Sequence, residues 1–135
     1  DLFSGVGSFG IECISRGAKH VTFVENYHGV LPTLKKNLSS LKIDENYEVV
    51  EQNILNGITL KVLNNKFDIV FLDPPYKEKN LKKILDNIFS EKLLNDNGVI
   101  IIHRHKNEND QFSKSLKIIE EKKYGISKII FGALN

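Results

Sequence analysis

Gly5-Val6-Gly7-Ser8-Phe9-Gly10, close to the start of the chain, is the motif that indicates the fold most clearly. It follows Asp1-Leu2-Phe3, which predicts the last residues of a first strand, and precedes residues 11–16, which predict a helix capped by Ser8. Glycines at this spacing let the backbone turn tightly from a strand into a helix and approach a ligand closely. The pattern therefore indicates a nucleotide-binding loop.

Two acids flank this loop and favour one class of nucleotide. Glu25 ends a predicted second strand, where a carboxylate can accept both hydroxyls of a ribose. Asp1 stands four residues before Gly5, where a carboxylate suits an amino-acid ammonium better than a pyrophosphate. The sequence thus favours S-adenosylmethionine, and a dinucleotide-binding oxidoreductase is the alternative.

The remaining pattern alternates strands with helices and closes with a hairpin. Strands are predicted at 21–25, 47–50, 67–72, 99–102, 116–121 and 127–134, and helices at 27–41, 54–65 and 80–89, with a turn at Asn97-Gly98. Together with the first strand this predicts one α/β domain over residues 1–135. Its architecture is a doubly wound, mostly parallel seven-stranded sheet with a C-terminal antiparallel hairpin.

A second motif, Asp73-Pro74-Pro75-Tyr76, directly follows the apolar run at 67–72. The prolines end the strand and stiffen the turn. The Asp73 carboxylate and the Pro74 carbonyl can accept hydrogen bonds from an amine on a planar group, while the Tyr76 ring stacks on that group. Four lysines follow, as candidates for RNA phosphate contacts or as an ordinary solvated helix face: Lys77, Lys79, Lys82 and Lys83.

Composition excludes several classes of site. The single cysteine, Cys13, excludes an internal disulfide and a zinc site built from several thiolates. The four histidines show no metal-binding spacing, and His103-Arg104-His105 is interpreted as a set of polar residues at the end of a strand. The net charge of +2 permits RNA binding without requiring it. No apolar run approaches the ~18 residues of a membrane helix. No signal peptide is visible, which predicts a cytoplasmic protein.

The two motifs, with Ser15-Arg16-Gly17-Ala18 at its spacing, resemble the RsmD-like 16S rRNA guanine-N2 methyltransferases. The resemblance runs from Asp1 to the terminal hairpin. It implies a class I methyltransferase fold, S-adenosylmethionine as cofactor, and methylation of N2 of a guanine in small-subunit ribosomal RNA or an assembly intermediate by a monomer. Other amine acceptors are alternatives (DNA adenine-N6 or cytosine-N4, or protein glutamine), as is a non-catalytic RNA-binding module.

The resemblance also implies roles for particular residues. The methionine part of the cofactor would face Asp1, Ser4, Gly5 and Gly7, with Glu25 on the ribose and Asn53 on the adenine; Asp73, Pro74 and Tyr76 would address the base. Asn53 is also a candidate helix cap. Members carry a basic N-terminal arm, and the absence of any methionine leads us to expect a fragment lacking that arm and most of its first strand. Members often have an acid where this chain has His103-Arg104-His105.

Overall fold

The computed structural model describes residues 1–41, 46–56 and 62–135. These form two compact units, Asp1–Ile54 and Leu55–Asn135, which are described separately. The helices and strands are, in chain order, α1 (Ser8–Ser15), β1 (Val21–Val24), α2 (Leu31–Ser39), β2 (Tyr47–Val50), β3 (Phe67–Leu72), α3 (Leu81–Ser90), β4 (Leu94–His105), β5 (Leu116–Tyr124) and β6 (Ser127–Leu134).

The first unit is a parallel pair of strands, β1 and β2, packed against two helices. The predicted first strand is reduced to a single bridge between Leu2 and Val24. The core consists of apolar residues from β1 and α2: Val21, Phe23, Leu31, Leu34 and Leu38. Pro32 lies in the first turn of α2, where proline is tolerated, and this helix begins four residues later than predicted.

Helix α1 begins differently from the prediction. Its N-cap is Gly7, in a left-handed conformation (φ 89°), and no side chain caps the helix, so the assignment of Ser8 as the cap is wrong. Close packing requires glycine at position 10, since a Cβ there would lie 2.3 Å from the Phe23 ring. The third glycine of the motif therefore lets α1 approach β1.

The second unit is a four-stranded mixed sheet in the order β3-β4-β6-β5. β3 and β4 are parallel, and the other pairs are antiparallel. β4 starts at Leu94, so the turn predicted at Asn97-Gly98 is wrong: residues 95–98 form an irregularity inside the strand, opposite Asp68. The Asn95 side chain donates a 2.6 Å hydrogen bond to the Asp68 carboxylate across this irregularity.

The α/β class is confirmed, with a mixed sheet, and α3 buries one apolar face, formed by Leu81, Ile84, Leu85 and Ile88. The seven-stranded sheet is not found: the described residues form sheets of two and four strands. The middle of the helix predicted at 54–65 lies outside the described residues. Among the residues described, no helix has the length and apolar character needed to cross a membrane.

Candidate active site

The glycine loop in the first unit contains three residues with left-handed backbone conformations. Phe3, Gly5 and Gly7 have φ values of 64°, 54° and 89°. Glycine adopts this region freely, whereas a phenylalanine there costs on the order of 1–3 kcal/mol. The sequence placed Phe3 in a strand and gave no sign of this strain. A Cβ added at Gly5 would meet no described atom within 4 Å, so a ligand can approach the backbone there.

Glu25, the predicted ribose ligand, also fastens the loop. Its Oε2 accepts a 2.8 Å hydrogen bond from the Gly5 backbone N–H. Its Oε1 accepts from the backbone N–H groups of Asn26 and Tyr27, each at 2.9 Å. Because a carboxylate offers about four acceptor positions, capacity for a ribose hydroxyl remains. The bracing role was not foreseen, although an acid at the neighbouring strand end is well placed for it.

Asp1 and Ser4 hold the two ends of the loop. The Asp1 Oδ2 accepts a 3.2 Å hydrogen bond from the Gly10 N–H, in the first turn of α1, where backbone donors lack helical partners. The Ser4 hydroxyl donates to the Val24 carbonyl at 3.2 Å. The cofactor-binding roles of both residues stay predictions, as does that of Asn53, which is exposed.

The second motif lies at the carboxyl end of β3, in the second unit. The Asp73 carboxylate is 45% exposed, and its Oδ1 lies 2.8 Å from Nδ1 of His103. The Tyr76 and His105 rings form a T-shaped pair, with centroids 5.5 Å apart and planes at 72°. Tyr76 is also 45% exposed, so its ring is available to a planar group.

Both histidines were missed as members of this site, although a signal existed. Asp73 and His103 are each the first polar residue after an apolar strand, and the parallel register pairs Leu72 with Ile102. Residues one step further on each strand must therefore be neighbours. The interpretation of His103 and His105 as polar strand-end residues was correct as far as it went, but it missed their partners.

Arg104 is fully buried and points away from the two histidines, because side chains alternate along β4. Its guanidinium donates to the Asp110 carboxylate through Nε (2.9 Å) and Nη2 (2.8 Å). It also donates to the carbonyl of Pro75 (3.2 Å, from Nη1) and to that of Glu78 (3.1 Å, from Nη2). Arg104 thus fixes the turn after Asp73 to the segment at residues 106–110.

The four predicted RNA-binding lysines divide into two kinds. Lys79 pairs with Glu108 at 3.3 Å, and Lys82 pairs with Asp86 at 2.6 Å. The Lys82 hydrogen bond, aided by one from Ser113, lowers the pKa of Asp86. Lys77 and Lys83 are exposed, and neither has an ion-pair partner among the described residues. Their RNA-binding role stays a prediction.

A family model described as "Conserved hypothetical protein 95" matches residues 1–133. The chain belongs to this family. It is the RsmD family, so the resemblance stated from the sequence is confirmed.

Two relatives of this RsmD family member are both named Ribosomal RNA small subunit methyltransferase D. The Haemophilus influenzae protein is 35% identical over 127 residues, which cover 93% of this chain and 66% of the relative. The Buchnera aphidicola (Acyrthosiphon pisum) protein is 34% identical over 122 residues, covering 90% and 63%. The chain thus spans a little under two thirds of the length of these relatives.

Solved structures agree with the fold. A conserved hypothetical protein of Streptococcus pyogenes matches the RsmD family chain with a TM-score of 0.88 at 26% identity, covering 99% of this chain and 84% of that one. The SAH-bound Podospora anserina methyltransferase PaMTH1 matches with a TM-score of 0.75 at 13% identity, covering 96% and 68%. The second match shows that the fold is shared with class I methyltransferases.

Proposed function

We propose that this chain transfers a methyl group from S-adenosylmethionine to the exocyclic N2 amine of a guanine in 16S ribosomal RNA. The observation that carries the proposal is the Asp73 carboxylate, exposed at the end of β3 and oriented by His103, in a member of the RsmD family. The names of the relatives support ribosomal RNA as the acceptor.

The residues of the first unit fit the cofactor. The loop at residues 3–7 exposes backbone at Gly5, and the Asp1 and Glu25 carboxylates lie at the two joined strand ends, Leu2 and Val24. We assign Asp1, Ser4, Gly5 and Gly7 to the methionine part, Glu25 to the ribose and Asn53 to the adenine. S-adenosylmethionine supplies, when bound, a methyl group activated by its sulfonium sulfur.

The residues of the second unit suit an exocyclic amine. Such an amine is a poor nucleophile because its lone pair is delocalised into the ring. The Asp73 carboxylate and the Pro74 carbonyl accept its two N–H groups and so return electron density to the nitrogen. Tyr76 stacks on the extruded base, a contact worth about 1–3 kcal/mol. Asp73 then accepts the proton that the methylated nitrogen releases.

The proposal extends to the partners and the fold. We assign the chain to a monomeric enzyme that acts on small-subunit RNA or an assembly intermediate in the cytoplasm, with the RNA backbone contacted by Lys77, Lys79, Lys82 and Lys83. We also assign it the seven-stranded sheet of class I methyltransferases. In support, the described strands include the terminal antiparallel hairpin of β5 and β6.

The test is transfer of tritiated methyl from S-adenosylmethionine to unmethylated small-subunit RNA or subunits, run beside DNA and protein acceptors. We expect label in the RNA alone. The transfer rate of Asp73→Ala should be lower by about 100-fold or more, since a positioned acid–base group contributes at least that much to the rate. The control is Asp96→Ala, which removes an exposed acid of β4 and should match wild type. Label in DNA or protein instead of RNA would show that the acceptor is a different amine. RNA binding without any label would indicate a non-catalytic module.

A further inference from the structure

His103 lies between two polar groups in the second unit. Its Nδ1 is 2.8 Å from Oδ1 of Asp73, and its Nε2 is 2.9 Å from Oγ of Ser127. The three residues come from neighbouring strands or their ends, with β4 between β3 and β6. Both ring nitrogens are therefore engaged, and the plane of the imidazole is fixed.

The chemistry of the partners decides the tautomer. An ionised Asp73 only accepts hydrogen bonds, so Nδ1 of His103 must carry a proton and donate it. In the neutral ring Nε2 then accepts from the Ser127 hydroxyl. His105 differs, because its Nδ1 accepts a hydrogen bond from the Asn107 backbone N–H at 3.2 Å.

We propose that His103 is a positioning residue for Asp73: held by Ser127, it fixes one carboxylate oxygen so that the other is presented to the acceptor amine. This inference rests on the proposed function. The packing supports it, since the His103 side chain is 23% exposed against 45% for Asp73. The more buried ring is the fixed member of the pair, and the carboxylate is the presented one.

The expected loss of rate depends on how far the Asp73 carboxylate moves. Small misplacements of a reacting group, of about 1 Å, cost on the order of 100-fold in rate. Replacing the His103 ring by leucine leaves the Asp73 side chain free to rotate, while its charge remains. The rate of methyl transfer should therefore fall, and the affinity for RNA should stay the same. A residue with a merely structural role would change folding stability instead.

The experiment compares four variants in steady-state methyl transfer to small-subunit RNA. His103→Leu should lower kcat about 10- to 100-fold with an unchanged KM for RNA. His103→Asn should recover much of the loss, because its side-chain amide can donate from the same branch point as Nδ1. Ser127→Ala should give a smaller decrease, and His20→Leu, which changes a histidine outside the site, should match wild type.

An independent measurement keeps the inference testable without turnover. Nitrogen-15 NMR of the histidine rings should show His103 as the Nδ1–H tautomer in wild type and lose that population preference in Asp73→Ala. Three results would overturn the inference while leaving the proposed function intact. These are a wild-type kcat in His103→Leu, a kcat in His103→Asn no higher than in His103→Leu, and an Nε2–H tautomer of His103 in the wild-type protein. A wild-type protein that transfers no methyl group would overturn both.

Discussion

The guanidinium of Arg104 binds the carboxylate of Asp110 through two hydrogen bonds, and both side chains are almost completely withdrawn from solvent. The same guanidinium binds the carbonyls of Pro75 and Glu78. The Asp110 carboxylate compensates the buried positive charge of Arg104. The two carbonyl contacts also fix the backbone of the turn that carries Tyr76.

Removing one partner of this pair should be costly. Arg104→Met leaves the Asp110 carboxylate buried without its cation, so we expect unfolding to become easier by about 3–5 kcal/mol. Urea denaturation followed by circular dichroism measures this. The double variant Arg104→Met with Asp110→Leu should regain much of the loss, because a well-packed apolar pair can replace a buried ion pair. A change below about 0.5 kcal/mol, the range of an ordinary surface substitution, would contradict the assigned role.

Gly10→Ala should destabilise the first unit. The added Cβ would lie 2.3 Å from one Phe23 ring carbon and 2.9 Å from Val21, and the Phe23 ring is fully buried. Overpacking of this kind costs about 1–3 kcal/mol. Ser15→Ala, at an exposed position of the same helix, is the matched control and should be neutral. Equal stability of the two variants would show that α1 and β1 can separate more easily than the packing indicates.

Cys13 should react slowly with thiol reagents in the native protein. Burial raises the pKa of its thiol, so the reactive thiolate is less populated at neutral pH than in a free cysteine. The rate of alkylation should keep increasing with pH beyond the pH at which glutathione levels off. Protein unfolded in urea should react at the ordinary rate. A native rate equal to that of glutathione at pH 7 would contradict the burial.

The lysines after the motif should contribute unequally to RNA binding. Lys77→Ala and Lys83→Ala should each reduce the slope of log affinity against log salt by about one, the effect of losing one phosphate contact. Lys79→Ala should do less, because Lys79 pairs with Glu108. Lys123→Ala, on β5 and paired with Glu121, is the control. Equal slopes in all four variants would identify the lysines as an ordinary solvated surface.

Local patterns in the sequence were enough to place most of the elements. β3 and β6 have the bounds predicted for them, because β3 is a mostly apolar run ended by two prolines and β6 follows the turn at Gly125. The core face of α3 consists of apolar residues at spacings of three and four, the pattern of an amphipathic helix. The turn predicted at Asn97-Gly98 failed because a strand can absorb extra residues where its partner does not require continuous pairing.

The side-chain contacts within the site are harder to predict from the sequence. The link between Asp73 and His103 depends on the register of β3 and β4, two strands separated by a helix. The burial of Arg104 was readable in principle, because Ile100, Ile102 and Arg104 alternate on one face of β4. An arginine is so often exposed that this periodicity is easily discounted. The left-handed Phe3 has no local signal, since glycine is the residue expected there.

The decisive measurement is mass spectrometry of nucleosides from unmethylated small-subunit RNA that has been incubated with S-adenosylmethionine and the protein, with Asp73→Ala run in parallel. We expect about one N2-methylguanosine per RNA molecule after incubation with the wild-type protein and almost none with Asp73→Ala. A different methylated nucleoside, or equal yields of N2-methylguanosine from both proteins, would contradict it.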